Sequence, residues 1–122
     1  MIDVVIFFRT WMILIFGHAL SDMALQHEYI GKYKARRTKC IDPLTGMQIT
    51  VWPFVLSAHG LINGALVYWI TGSVALGLAE TILHILIDFC SCERWINLFQ
   101  DQILHILCKG VWTYVWIWSA PL

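Results

Sequence analysis

Charged residues are scarce in this sequence. Asp, Glu, Lys and Arg make up 13% of its 122 residues, about half the usual share for a soluble protein. The two signs cancel, with eight residues of each. There is no acidic block, and the one basic cluster (Lys32, Lys34, Arg36, Arg37 and Lys39) is too short and isolated for a nucleic-acid binder. Repeats, low-complexity tracts and domain linkers are missing too, so the length reads as one domain. The opening MIDVV has an acid and lacks the basic residues that precede a secretory signal. The first apolar run is therefore expected to stay as a helix. The four cysteines, Cys40, Cys90, Cys92 and Cys108, do not sit in a loop-rich secreted miniprotein and are read as free thiols.

What the chain has in excess is apolar surface, at 59% of its residues. A soluble domain this small exposes too much area to hide that much, whereas a bilayer removes the difficulty. The expected fold is all-α: a polytopic four-transmembrane-helix bundle, with spans near 4–26, 51–70, 74–89 and 96–118. Between the first two lies a long loop, 27–50, which holds the basic cluster and the turn sequence DPLTG. Pro53 falls in the first turn of its span, where a missing N–H does no harm. Gly60 and Gly64 form a GxxxG pair suited to close helix packing. Thr71, Gly72 and Ser73 make a turn so short that its flanking helices must run antiparallel. Trp112, Trp116 and Trp118 crowd one end as an interfacial belt would. Basic residues favour the cytoplasmic side. The expected setting is therefore a bacterial inner membrane, with loop 27–50 inside and both termini outside.

Ionisable residues interrupt these apolar runs at steps of four. Glu80, His84 and Asp88 share one helix face, as do Asp101 and His105, and as do His18, Asp22 and Gln26. His59 and Asn63 are likewise four apart. In the expected topology His18 and His84 come late in inward-running helices, and His59 and His105 come early in outward-running ones. One imidazole from each helix then falls at a similar depth in the cytoplasmic half. Charges there are costly and mark function. Imidazole with carboxylate is a ligand set for zinc, and also suits manganese, iron or nickel.

The expected ligands of a divalent metal are His18, Asp22, His59, His84, Asp88 and His105. Glu80 and Asp101 are candidates for general base, and Gln26, Asn63 and Gln102 for supporting hydrogen bonds. Lys32, Arg36, Arg37 and Lys109 are candidates for holding an anionic substrate head. The functional expectation is a metal-dependent hydrolase acting on a lipid or lipid-linked substrate at the cytoplasmic headgroup level. Two alternatives use the same residues. One is a metal-ion or proton transporter, which would need polar residues through to the outer surface or a homo-oligomer with a pore between chains. The other is a small phage effector acting on a host membrane partner, with a structural polar cluster.

Four stretches, HALSDMALQ, SAHGLINGALVYWITGS, ETILHILIDF and DQILHILCK, together carry a resemblance that covers nearly the whole chain. They resemble a family of small bacterial and phage membrane proteins catalogued as a domain of unknown function. Its polar positions correspond to His18, Asp22, Gln26, His59, Glu80, His84, Asp88, Asp101, Gln102 and His105. The resemblance implies a membrane protein of phage or bacterial source and supplies no activity. In residue style, His and Asp on apolar helices, the chain also resembles inner-membrane proteins classed as metal-dependent hydrolases.

Overall fold

A computed structural model describes residues 3–119. The chain is mostly helical. Helix α1 (Val4–Ala19) leads into a π-helical turn, Leu20–Ala24, and α2 is short (Glu28–Tyr33). Strands β1 (Cys40–Ile41) and β2 (Gln48–Ile49) pair antiparallel, and α3 (Trp52–Thr71), α4 (Val74–Cys92) and α5 (Leu98–Ser119) follow. Loop 27–50 is thus built from a helix and a hairpin. The hairpin tip is the DPLTG turn, where the Asp42 carboxylate accepts from Thr45 Oγ1 at 2.7 Å.

Local chemistry explains the boundaries. Asp3 caps α1 by accepting from the Val5 and Ile6 amides. Gly72, at φ +69°, ends α3 in the left-handed conformation, and Ser73 then caps α4. Asn97 and Gln100 exchange side-chain and backbone hydrogen bonds, both 2.9 Å, as a capping box at the start of α5. Two boundaries differ from the sequence reading. The first long helix ends at Ala24, because Leu25 N–H bonds back five residues to the Leu20 carbonyl and closes a wide turn. Helix α4 runs three residues past Phe89, so Cys90 and Cys92 lie in its last turn.

Four long helices pack in a ring: α1 against α3, α3 against α4, α4 against α5, and α5 against α1. The interior of this ring is polar. Among the described residues, fourteen polar or charged ones are buried, against six apolar ones. Large apolar side chains cover the outside, among them Phe54 at 80% and Trp69 at 81% exposure. This inverts the usual soluble pattern. Val4–Ala24, Trp52–Thr71 and Val74–Cys92 are each long and apolar enough to cross a membrane. Helix α5 is longer still, at 22 residues. It is more polar because Gln100, Asp101, Gln102, His105 and Lys109 lie along it.

The α3–α4 hairpin is the tightest seam. A Cβ on Gly64 would run into Thr81 Oγ1 and the Gly77 carbonyl, and one on Gly60 into Ile85. Gly64→Leu is expected to destabilise the protein by at least about 2 kcal/mol through overpacking. Thermal unfolding in detergent reads that loss, and an unchanged midpoint would contradict this packing.

The connecting loop is fastened to the end of α4. Arg36 donates to both Glu93 oxygens, at 3.1 and 2.8 Å, and Arg37 donates at 3.3 Å. The Arg36 hydrogen bonds hold the Glu93 carboxyl below its ordinary value of 4.5. A depressed carboxyl stabilises the folded form above its unfolded pKa and stops doing so as pH falls through its folded pKa. Proteolysis within residues 34–50 is therefore expected to accelerate below about pH 4.5. Glu93→Gln should show the faster cleavage already at neutral pH, and equal cleavage rates would count against the clasp.

Candidate metal centre

Each long helix places one histidine in the interior. His18 ends α1, His59 lies in the first half of α3, His84 is central in α4, and His105 is in the second turn of α5. Their ring centroids are 4.2 Å apart for His84 and His105, 4.6 Å for His18 and His105, and 5.0 Å for His59 and His84. None of the four is more than 4% exposed.

Two carboxylates bridge these rings. Asp22 Oδ1 lies 2.8 Å from His59 Nε2 and 3.8 Å from His84 Nε2, and Asp22 Oδ2 is 3.7 Å from His18 Nε2. Asp88 Oδ1 lies 3.2 Å from His105 Nε2 and 3.8 Å from His84 Nε2, while its Oδ2 is 3.4 Å from His59 Nε2. Asp101 Oδ1 is 3.9 Å from His105 Nε2. The π-helical turn matters here. It buries Ser21 and Asp22 side by side, with Ser21 tied to Asn63 at 2.6 Å and Asp22 aimed into the cluster.

Several of these separations are too long for hydrogen bonds. They are close to the spacing of neighbouring ligands on one tetrahedral ion, about 3.3–3.6 Å for metal–ligand bonds of about 2.0–2.2 Å. Both ring nitrogens of His18, Nε2 of His84, Nδ1 of His105 and Oδ1 of Asp101 are buried with no hydrogen-bond partner among the described residues. Such orphans are rare in a folded interior and need a reason. Charge adds a second reason. Among the described residues, the fixed cations paired with Asp22, Glu80, Asp88 and Asp101 are Lys34 and Lys109, which leaves an excess of two negative charges if the imidazoles are neutral. A divalent cation would offset the charge and take one such nitrogen from each ring that ligates it.

Among the described residues, three overlapping groups could hold one: His18, His84 and His105; Asp22, His59, His84 and Asp88; and Asp22, Asp101 and His105. Within each, the ligand atoms lie within 4.8 Å of one another. All six residues expected as ligands are brought together, with Asp101 joining them. The donors are nitrogen and oxygen, without thiolate. That set fits zinc, manganese, iron or nickel.

Other residues expected at the site have different places. Glu80 is fully occupied: it accepts from Lys109 Nζ at 2.5 Å and Trp112 Nε1 at 2.6 Å, and lies 3.2 Å from His84 Nδ1. It is therefore a support, not a free base. A carboxylate on Nδ1 keeps that nitrogen protonated and leaves Nε2 as the ligand atom. Lys109 is 1% exposed and bound to Glu80, so it cannot reach a headgroup. Gln102 donates to Asp22 and Asp101, both at 2.9 Å, and supports two of the carboxylates. Asn63 joins Ser21 to the His59 carbonyl. Gln26 lies beyond the end of its helix and accepts from Lys34. Arg36 and Arg37 hold Glu93, and Lys32 is exposed beside the Tyr33 ring.

Lys34 is the residue the sequence reading did not single out. Its Nζ reaches Asp88 Oδ2 at 2.7 Å and Gln26 Oε1 at 2.9 Å. Burial opposes its charge, but Asp88 outweighs that and raises its pKa above the ordinary lysine value. Nothing in the spacing of KYKARRTK distinguishes Lys34 from its neighbours. Trp112, expected in the interfacial belt, is instead buried and donates to Glu80, three residues after Lys109 on the same helix face. Beside the cluster is a cavity of about 420 Å³, lined by Asp22, Gln26, Lys34, Ser91, Asp101 and Gln102.

Comparison with family models, with characterised proteins and with solved structures returned no match.

Proposed function

We propose that the chain is a four-span membrane protein whose helix bundle holds a divalent metal and hydrolyses a lipid or lipid-linked substrate at the cytoplasmic headgroup level. The observation that carries this reading is the cluster of orphaned imidazole and carboxylate atoms at ligand-to-ligand spacing, with a cavity beside it. The membrane setting is supported by the apolar exterior, which continues on α5 through Phe99, Leu107, Val111 and Trp118. The basic loop supports its placement in the cytoplasm.

Bound metal would supply a water of lowered pKa and polarise the scissile group. The chain's own residues would do the rest. Asp101 borders the cavity, and its Oδ1 is buried without a hydrogen-bond partner among the described residues, so it is the candidate general base. It takes a proton from the attacking water as the new oxygen bond forms, then returns it to the leaving oxygen or nitrogen as the old bond breaks. Gln102 holds the other Asp101 oxygen and thereby sets its direction. His59 and His84 remain available as ligands in the neighbouring group.

A transport pathway is disfavoured by what lies on the far side of the cluster. Leu14, Val67, Leu76 and Trp112 form a buried apolar layer there, with Ile70 and Trp116 packed against it. Among the described residues of one chain, the buried ionisable side chains end at that layer, and only the threonines Thr10 and Thr113 are buried polar residues at or beyond it.

The reading is tested by supplying a metal-replete preparation in nanodiscs with a bacterial lipid extract and following released headgroups and acyl chains by mass spectrometry. Asp101→Asn should keep its metal in the Asp22, His59, His84 and Asp88 group and lose about 10²–10⁴-fold in turnover. No turnover by the wild type, or wild-type turnover by the variant, would refute it.

A further inference from the structure

We propose that Lys34 is an exchangeable counter-ion: it neutralises Asp88 until a divalent cation takes that carboxylate, and its released ammonium then binds a phosphoryl-type oxyanion in the adjoining cavity. This rests on the metal-centre reading above. The anion's source is either a lipid headgroup or free phosphate.

The contested atom is Asp88 Oδ2. It lies 2.7 Å from Lys34 Nζ and 3.4 Å from His59 Nε2. The carboxylate that holds the ammonium therefore belongs to a residue of the same ligand group as His59 and His84. A dication placed among them repels an ammonium at that distance, and the weaker charge gives way. Lys34 has somewhere to go, because it already lines the cavity of about 420 Å³. That is more than ten times the roughly 30 Å³ share of one water. It also cannot go far. Arg36 and Arg37, two and three residues on, are held at Glu93.

The rest of the lining shows why the anion would need the metal. Gln26, Gln102 and Ser91 bring polar groups to the cavity, but Asp22 and Asp101 bring negative charge. Without metal, Lys34 is spent on Asp88 and an oxyanion would meet uncompensated carboxylates. With metal in the group of Asp22, His59, His84 and Asp88, the charges of Asp22 and Asp88 are offset and the ammonium is free to face Asp101 and the oxyanion. Metal and oxyanion must then strengthen each other's binding by the same factor. A compact ammonium with neighbouring amides suits a phosphoryl group as a point-charge donor.

Calorimetric titration of the metal-stripped full chain with Mn²⁺ in a maltoside detergent, with and without inorganic phosphate, tests this. Phosphate should tighten Mn²⁺ binding at least about fivefold. Lys34→Met should bind Mn²⁺ more tightly than wild type without phosphate, and should lose the phosphate effect. Parallel titrations in phosphatidylcholine nanodiscs with and without phosphatidic acid identify the source. Tightening by phosphatidic acid alone assigns a lipid headgroup, and tightening by inorganic phosphate assigns the free ion. If Mn²⁺ binds but neither anion changes its affinity in the wild type, the exchange is refuted while the metal centre stands, whether or not the variant folds. If Mn²⁺ does not bind at all, both fail.

Discussion

His84→Ala and Asp88→Asn are each expected to strip the protein of divalent metal while leaving its helix content intact. His84 belongs to two of the three ligand groups, and its Nε2 is a sealed atom with no hydrogen-bond partner among the described residues. Asp88 touches three of the four imidazoles. Loss of an outer hydrogen-bond partner alone costs about 10–100-fold in metal affinity, so loss of a ligand should exceed about 100-fold. Elemental analysis after desalting reads the occupancy directly. Thermal unfolding gives an independent reading, because metal binds only the folded form. At a thousandfold excess over its dissociation constant it stabilises the fold by about 4 kcal/mol. Chelation should lower the wild-type midpoint and leave both variants unmoved. A wild type that is metal-free after growth in supplemented medium, and whose midpoint ignores chelator and added metal alike, would end the proposal of a metal centre.

The other large effect is expected at Lys109. Lys109→Met should destabilise the bundle by about 3–5 kcal/mol, because it leaves a buried carboxylate without its cation. Glu80 is 0% exposed and cannot turn to water. Adding Glu80→Gln to the same chain removes that charge and should recover most of the loss, a coupling that a double-mutant cycle measures. Metal affinity should not recover with it. The amide introduced by Glu80→Gln can donate to His84 Nδ1, which shifts the ring proton to Nε2 and blocks the ligand atom. The double variant is therefore expected to be stable and to bind metal about 10–100-fold more weakly than wild type. If stability and metal affinity return together, Glu80 does not act through His84. If the single variant is as stable as wild type, the ion pair is not what holds these helices together.

Much of the site can be read from spacing. Steps of four residues set His84 and Asp88 on one face of α4, and Asp101, His105 and Lys109 on one face of α5, whatever surrounds them. Caps and turns are equally local: Pro53, Gly72 and Ser73 mark the ends of α3 and the start of α4 through their own backbone preferences. At Gln26 the supporting hydrogen bond is found, through Lys34, but not by the helical step that suggested it. A four-residue step presumes a continuous α-helix, and the π-helical turn at Leu20–Ala24 ends it first.

The amino-acid sequence by itself determined that this chain forms apolar helices carrying imidazole and carboxylate on defined faces. Periodicity is a property of one helix and needs no neighbour. Only the tertiary structure decided what those groups do. Glu80 and Lys109 belong to each other, Asp22 and Asp88 bridge the histidines, and a loop lysine reaches in to Asp88. Those choices depend on how each helix is rotated and how closely it approaches the next. Contacts between residues as far apart as Lys34 and Asp88 leave no trace in the local spacing of either.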